Sequence, residues 1–242
     1  MNLAFFGDSL TEGKPGVSFY ELLQFKLPEH EMYNYGKGGD TVKSHYRRIK
    51  TLDIDRPFDV AVLWIGVNDV MVHLSKTYPW LKRLAGQPWS KTVKDFTDYY
   101  IGTIDWLIKH SIRVIVLPPM FIGESPVSGC NRQLERLADA IKDLTVYREN
   151  VEYLDIREFF ISELNRETIS EYMPKSVLVT LLDGILLQSN GRVDKKSAKR
   201  GLQFTLDGVH LNGKGAEMIA EILAAAIEQK KPKDVASRFV FE

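Results

Sequence analysis

Short apolar runs alternate with amphipathic stretches along the chain. Continuous apolar runs a few residues long are typical of strands that are buried on both faces of a parallel sheet. We therefore predict five strands: Leu3 to Phe6, Met32 to Tyr35, Asp59 to Ile65, Arg113 to Leu117 and Val151 to Ile156.

Between these runs, apolar residues recur at spacings of three and four, as on one face of a helix. The pattern predicts helices over 17–26, 41–49, 93–110, 131–147 and 213–230. Strands that alternate with helices indicate an α/β fold, with a parallel sheet covered on both faces. Five strands favour the flavodoxin-like order 2-1-3-4-5, in which ligands bind beyond the carboxyl ends of the strands.

Two long connections, 70–92 and 165–203, do not belong to this minimal plan, and connections of this length are usually functional or mobile. In the first, Tyr78, Trp80 and Trp89 could stack on a sugar ring or simply pack the connection down. The second holds the apolar stretch Val177 to Leu187, so we expect a cap or partner surface beside the site. The alternative is a decorated loop on the rim.

Composition narrows the function classes. The 242 residues, 44% of them hydrophobic, fit one α/β domain spanning 1–242. Thirty-two basic residues balance 32 acidic ones, which gives no general attraction to nucleic acid or to an anionic membrane. The single cysteine, Cys130, excludes an internal disulfide. With no leader pattern after Met1 and no apolar run of membrane-spanning length, we expect a cytoplasmic protein that does not insert into membranes.

Four short blocks carry the candidate chemistry: Gly7-Asp8-Ser9-Leu10, Gly38-Gly39-Asp40-Thr41, Gly66-Val67-Asn68-Asp69 and Asp207-Gly208-Val209-His210. Ser9 lies at a strand-to-helix turn, where a hydroxyl projects into the cleft and can act as a nucleophile. Its own N–H, at a helix start, can donate to an oxyanion. The alternative is that Ser9 or Thr11 merely caps the next helix.

His210 is the candidate general base, and Asp207 precedes it by three residues. That spacing lets the carboxylate hold the imidazole in one tautomer, with its other nitrogen toward Ser9. The alternative is an Asp-Gly turn with an incidental histidine, and Asp183-Gly184 shows that such a turn occurs here without one.

Gly39 and Asn68 complete the predicted oxyanion site. Glycine lets a backbone N–H approach a substrate closely, and an amide side chain donates without carrying charge. We expect Asp8, Asp40 and Asp69 to support these loops rather than to react. Because no histidine pair or cysteine cluster has metal-ligand spacing, we expect no metal site.

The four blocks together resemble those of the SGNH hydrolase superfamily, the GDSL esterases and lipases. The matching positions are Ser9, Gly39, Asn68 and His210, with Asp207 as the acid, and Gly38 and Gly36 are alternatives for the glycine. The resemblance covers residues 1 to about 160 and about 204 to 230. It implies a three-layer α/β/α sandwich and metal-free hydrolysis of carboxylic esters or thioesters.

We therefore expect a serine esterase that works through an acyl-enzyme, with a small-molecule ester as its partner and no cofactor. Small or short-chain esters, such as O-acetylated carbohydrates, are the favoured substrates. A lysophospholipase or an acyl-thioester hydrolase is the alternative within this class. A non-catalytic glycan-binding module on the same fold is the alternative of another class. A homo-oligomer is possible.

Overall fold

A computed structural model describes residues 1–74, 77–170, 172 and 190–229, without the side chains of residues 166 and 190. Within these ranges the core is a five-stranded, all-parallel sheet of order β2-β1-β3-β4-β5, which confirms the predicted flavodoxin-like order. The strands are β1 (Asn2–Gly7), β2 (Glu31–Gly36), β3 (Phe58–Trp64), β4 (Ser111–Leu117) and β5 (Val151–Tyr153).

Helices connect and cover the strands. They are α1 (Ser9–Glu12), α2 (Phe19–Lys26), α3 (Val42–Ile49), α4 (Val67–Leu74), α5 (Tyr78–Leu84), α6 (Val93–His110), α7 (Gly129–Thr145), α8 (Ile156–Glu163), α9 (Asn190–Lys199) and α10 (Gly213–Ile227), with a 3₁₀ turn at Arg166–Thr168. None of the helices in the described ranges is long and apolar enough to cross a membrane.

Two predicted elements differ from the structure. The fifth strand ends at Tyr153 rather than at Ile156, because Asp155 accepts a hydrogen bond from the Glu158 N–H (3.3 Å) and so caps α8. The connection 70–92, to which no element was assigned, begins within α4 and contains α5. Apolar residues such as Met71 and Leu81 therefore belong to helices, although each helix is too short to show a clear apolar period in the sequence.

The two faces of the sheet are distinguished by neighbouring residues of β1. Phe5 packs on Phe19 and Tyr20 of α2, with ring centroids 6.3 and 5.4 Å away. Phe6 packs instead on Trp106 of α6, at 5.8 Å. Because successive strand residues point to opposite faces, α2 and α6 cover opposite sides of the sheet. The result is the three-layer α/β/α arrangement that the resemblance implies.

Three strands end level with one another at the carboxyl edge, where Gly7 is aligned with Gly36 of β2 and with Trp64 of β3. A Cβ at Gly7 would lie 2.2 Å from the Trp64 carbonyl oxygen and 2.3 Å from Thr11 Oγ1, so only glycine fits. The first three sequence blocks all begin at this edge.

The described part of 165–203 is tied to the loop that carries Asp207. In α9, Ser197 Oγ donates to the Thr205 carbonyl (2.7 Å) and accepts from Asn212 Nδ2 (2.7 Å). The apolar stretch Val177 to Leu187 lies outside the described residues, so the expected cap or partner surface stays a prediction.

Candidate active site

Ser9, His210 and Asp207 meet at the carboxyl edge of the sheet. Ser9 Oγ lies 2.9 Å from His210 Nε2, and His210 Nδ1 lies 2.8 Å from Asp207 Oδ2. An ionised carboxylate only accepts, so Nδ1 carries the ring proton and Nε2 is left to accept from the serine hydroxyl. A nucleophile, its general base and an acid that orients the base need a hydrogen-bond chain of this kind.

The capping alternative for Ser9 does not fit the local geometry. Asp8 is the N-cap of α1, because its Oδ1 accepts from the Leu10 N–H at 3.0 Å. Ser9 is the first helical residue, so its N–H is one of the donors that have no acceptor inside the helix. Its hydroxyl is free to face His210.

Asp207 is buried and fully engaged. Its Oδ1 accepts from the N–H groups of Val209 (3.0 Å) and His210 (2.9 Å), while Oδ2 faces the imidazole. Burial alone would raise the pKa of Asp207, but the charge and hydrogen bonds of His210 and the Val209 N–H lower it overall. The carboxylate is thus held in its ionised form beside the base.

Gly39 offers an unused donor next to Ser9. It lies in the left-handed region, with φ of 76°, and its N–H has no acceptor among the described residues. By contrast, the Gly38 N–H donates to Glu12 Oε2 (2.7 Å) and the Gly36 N–H to Asn34 Oδ1 (2.9 Å). The geometry therefore favours Gly39 over both alternatives as the oxyanion donor.

Asn68 lies at the start of α4 with its amide buried. Nδ2 donates to the Asp40 carbonyl oxygen (3.1 Å) and to Asp8 Oδ2 (3.2 Å), and Oδ1 accepts from the Tyr78 hydroxyl. Both amide hydrogens are therefore engaged in the structure. Donation to an oxyanion requires that Nδ2 exchange or share one of these bonds.

A cleft of about 600 Å³ opens over these groups. Ser9, Gly39, Asn68 and His210 all line it. Its apolar lining residues are Val67, Met71, Leu81, Ala85 and Val209, and its charged lining residues are Glu12, Lys14, Lys37 and Lys82. This volume and mixed lining are those of a small-molecule site.

Comparison with known proteins identifies the family. Residues 5–218 match the model of the GDSL-like Lipase/Acylhydrolase family. The chain belongs to this family. The match confirms the resemblance found in the four sequence blocks, and with it the protein is an ester-cleaving hydrolase.

Solved structures share the fold of this family member at low sequence identity. The acetyl xylan esterase AlAXEase is 22% identical, with a TM-score of 0.63 over 94% of this chain and 100% of the other. Axe2, an acetylxylan esterase from Geobacillus stearothermophilus, is 19% identical, with a TM-score of 0.61 over 93% of both chains. LAE5, an alpha/beta hydrolase from the metagenome of Lake Arreo, Spain, is 18% identical, with a TM-score of 0.64 over 94% of both. No curated protein matches the sequence.

The three carboxylates that were expected to support the loops are all buried beside Gly39 and Asn68, and two of them, Asp8 and Asp69, have a raised pKa. Asp69 Oδ2 accepts from the Val42 N–H (2.9 Å), which ties α4 to α3, and Asp8 links α1 to Asn68. Burial raises the pKa of Asp8 to about 6 and that of Asp69 to about 7, although backbone N–H groups and Lys82 act in the other direction.

Asp40, the third, pairs with the helix that follows it. Its carboxylate accepts from Ser44 Oγ (2.8 Å) and from Arg48 Nε (2.8 Å). Burial would raise the pKa of Asp40, but the neighbouring His45, the charge of Arg48 and the hydrogen bond from Ser44 lower it overall. No group of three or more His, Cys, Asp or Glu side chains in the described ranges could hold a metal ion.

Sequence reasoning missed Glu124, in the loop after β4. This buried carboxylate accepts from the N–H groups of Phe204 and Thr205 (both 2.8 Å) and of Gln203 (2.6 Å). It therefore fixes the segment that leads into Asp207. No motif surrounds it in the sequence, and only its position after a buried strand could have singled it out.

Lys82 and Gln87, in the connection 70–92, were also missed. Both are buried and line the cleft behind Gly39. Burial lowers the pKa of Lys82 to about 8, although Asp8, Asp69 and Asp40 favour its charged form. Of the three aromatic residues expected to stack or pack there, Tyr78 lines the cleft, whereas Trp80 and Trp89 do not. Sugar stacking by the two tryptophans therefore has no support from the cleft geometry.

Proposed function

We propose that the protein is a serine esterase that works through a covalent acyl-enzyme. His210 Nε2 takes the hydroxyl proton as Ser9 Oγ attacks the ester carbonyl carbon, and Asp207 stabilises the imidazolium that forms. His210 then gives the proton to the oxygen of the leaving alcohol. In the second half it activates a water molecule that releases the acid from Ser9.

Three donors would hold the negative oxygen of each tetrahedral intermediate: the N–H groups of Ser9 and Gly39 and the amide of Asn68. The Gly39 N–H has no acceptor among the described residues, and the Ser9 N–H lies at the start of α1. These two N–H groups are in place before the reaction, so they would stabilise charge in the transition state more than the neutral ester.

The observation that carries the proposal is the unbroken chain Ser9–His210–Asp207, at 2.9 and 2.8 Å, on the wall of an open cleft. The solved Axe2 structures add support. They include catalytic mutants in which a serine, an aspartate or a histidine is replaced by alanine, and that aspartate precedes that histidine by three residues. Asp207 and His210 have the same spacing.

For the substrate we propose short-chain esters of small alcohols, with O-acetylated carbohydrates as the favoured class. AlAXEase and Axe2 act on acetylated xylan, and their fold spans almost the whole of this chain. A cleft of about 600 Å³ has room for an acetylated sugar unit. Lys14 and Lys37, which line the cleft, would offer hydrogen-bond donors to the hydroxyl groups of a polar alcohol.

Two measurements test the proposal. A fluorophosphonate probe should label the wild-type protein and the Ser162→Ala control, whose replaced hydroxyl donates to the Phe159 carbonyl, but not Ser9→Ala. Loss of labelling only in Ser9→Ala supports the nucleophile, and equal labelling of all three proteins contradicts it. A non-catalytic glycan-binding module would bind sugars without reacting with the probe.

The second measurement compares p-nitrophenyl esters of rising chain length, acetylated oligosaccharides, a lysophospholipid and an acyl thioester. We expect the highest kcat/KM for acetyl esters, with acetylated sugars preferred. A maximum at long acyl chains or at the thioester would keep the serine mechanism and overturn the proposed substrate class.

A further inference from the structure

Three polar side chains from the connection 70–92 lie directly behind the proposed oxyanion donors. Tyr78 and Lys82 are four residues apart on α5 and therefore share one face of that helix, and Gln87 follows the helix. All three are buried, and each donates a hydrogen bond to the Gly38–Gly39 loop or to Asn68.

Gln87 controls the direction of the Gly39 N–H. Its Nε2 donates to the Gly38 carbonyl oxygen at 2.8 Å. In a trans peptide the carbonyl of one residue and the N–H of the next point in opposite directions. The hydrogen bond from Gln87 to the Gly38 carbonyl therefore directs the Gly39 N–H away from Gln87, toward the cleft. The same bond polarises the peptide and strengthens its N–H as a donor.

Lys82 holds the next peptide and brings a charge. Its Nζ donates to the Gly39 carbonyl oxygen and to Gln87 Oε1 (3.2 Å). A Cβ at Gly39 would lie 2.8 Å from Lys82 Nζ and 2.8 Å from Gln87 Oε1. The contact that holds this loop therefore requires glycine at 39, in addition to its positive φ.

Tyr78 fixes the amide of Asn68. Its hydroxyl donates to Asn68 Oδ1, so the oxygen of the amide faces α5 and the Nδ2 group faces the Asp8 and Asp40 side of the site. Without this bond, only the hydrogen bonds of Nδ2 to Asp8 and Asp40 oppose rotation of the amide about its terminal torsion, which is broad and roughly two-fold. In the rotated form Asn68 would present an acceptor, which repels an oxyanion.

We propose that Tyr78, Lys82 and Gln87 are positioning residues that orient the oxyanion donors from behind: Tyr78 through Asn68, and Lys82 and Gln87 through the Gly38–Gly39 loop. This inference rests on the proposed function. Because the groups act only when charge develops on the substrate oxygen, their removal lowers kcat and leaves KM nearly unchanged.

The deciding experiment is a double-mutant cycle between Tyr78→Phe and Asn68→Ala, measured as kcat and KM on the best ester found. Tyr78→Phe removes one hydroxyl and should lower kcat about 10-fold, the value of one buried hydrogen bond. In the Asn68→Ala background the same change should have no further effect on kcat, because the group through which Tyr78 acts is gone. Tyr100→Phe is the matched control, since the buried Tyr100 hydroxyl has no hydrogen-bond partner in the described part of the chain.

A loss that is the same in both backgrounds, or one confined to KM, would overturn the role of Tyr78. An unchanged kcat for Tyr78→Phe, measured with an ester on which the wild type is active, would also overturn the role of Tyr78. Gln87→Met should independently lower kcat about 10-fold with thermal stability measured alongside, and an unchanged kcat would remove Gln87 from the set. Lys82→Met should lower kcat at least as much, and an unchanged kcat in the folded variant would remove Lys82 from the set.

Failure of the proposed function gives a different pattern. If wild type and Ser9→Ala do not differ on any ester, the serine mechanism itself is wrong and the inference fails with it. If wild type is active and Ser9→Ala is not, while Tyr78→Phe and Gln87→Met match wild type, only the inference fails.

Discussion

The two halves of the candidate site are held in place by different parts of the chain. In the half that contains Ser9, His210 and Asp207, neighbouring residues make the nearest contacts: Asp8 caps the helix that starts with Ser9, and Asp207 accepts from the N–H groups two and three residues ahead. Glu124 adds a distant contact, to the segment before Asp207. The half that contains Gly39 and Asn68 is fixed from a distance, by side chains of the connection 70–92. Short motifs thus hold the proposed nucleophile and base, while side chains of a long connection align the proposed oxyanion donors.

The electrostatics of the two halves differ in the same way. Asp207 has a lowered pKa because His210 is its partner, and a charge there favours the imidazolium. Beside the oxyanion donors, burial raises the pKa of Asp8 and Asp69 to about 6 and about 7. While these carboxyl groups keep their protons, they repel a developing oxyanion less than ionised ones would.

The largest effect should come from breaking the locally held half at its nucleophile. Ser9→Ala removes the atom that is proposed to form the acyl-enzyme and should lower kcat by about 10⁴- to 10⁶-fold. The fold should persist, since Asp8 and not Ser9 caps α1. Steady-state kinetics and a thermal melt check both points. Activity above a few per cent of wild type would mean that another group attacks the ester.

Asp207→Asn tests the same half at its other end. The amide could still accept from the Val209 and His210 N–H groups, but it would present an N–H to His210 Nδ1 and favour the wrong tautomer. We expect kcat to fall about 10⁴-fold, the order found when such an acid is replaced elsewhere. Rates near wild type would rule Asp207 out as the orienting acid.

The contrast between the halves also explains what could be predicted from the sequence. Ser9, Asn68 and the Asp207–His210 pair were found because each lies in a short block at the end of a strand or before a helix. The strands could be predicted from runs such as Asp59 to Ile65, because the apolar residues of a buried strand follow one another in the sequence. Glu124, Lys82 and Gln87 were not found, because their roles depend on which loop they reach in three dimensions.

Asn68→Ala breaks the other half and should cost less than either change above. Removing one neutral donor to the oxyanion should lower kcat about 10²- to 10³-fold with little change in KM. The remaining donors, the N–H groups of Ser9 and Gly39, keep part of the stabilisation. Comparable losses in kcat and in the affinity for an uncharged substrate analogue would instead make Asn68 a substrate-binding residue.

The smallest effect concerns stability and contrasts two carboxylates of the oxyanion half, Asp69 and Asp40. The pKa of Asp69 rises from 3.8 to about 7 on folding, so between these values the folded chain keeps a proton that the unfolded chain has lost. Stability therefore falls as pH rises through this window. Asp69→Asn removes that dependence, whereas Asp40, with its lowered pKa, contributes stability that is lost as pH falls below about 4.

We therefore expect the difference in melting temperature, Asp69→Asn minus wild type, to increase by on the order of 5 °C between about pH 4 and pH 7. Just above about pH 7 this difference should stay constant. Asp69→Asn also changes the melting temperature by an amount that does not depend on pH. Asp69 Oδ1 has no hydrogen-bond partner in the described ranges, so an amide N–H₂ there would be unsatisfied. Asp40→Asn should melt below wild type at pH 7, with the gap closing in acid. Melts of the three proteins across this range test both signs, and parallel curves for Asp69→Asn and wild type would show that Asp69 ionises in the folded protein as readily as in the unfolded chain.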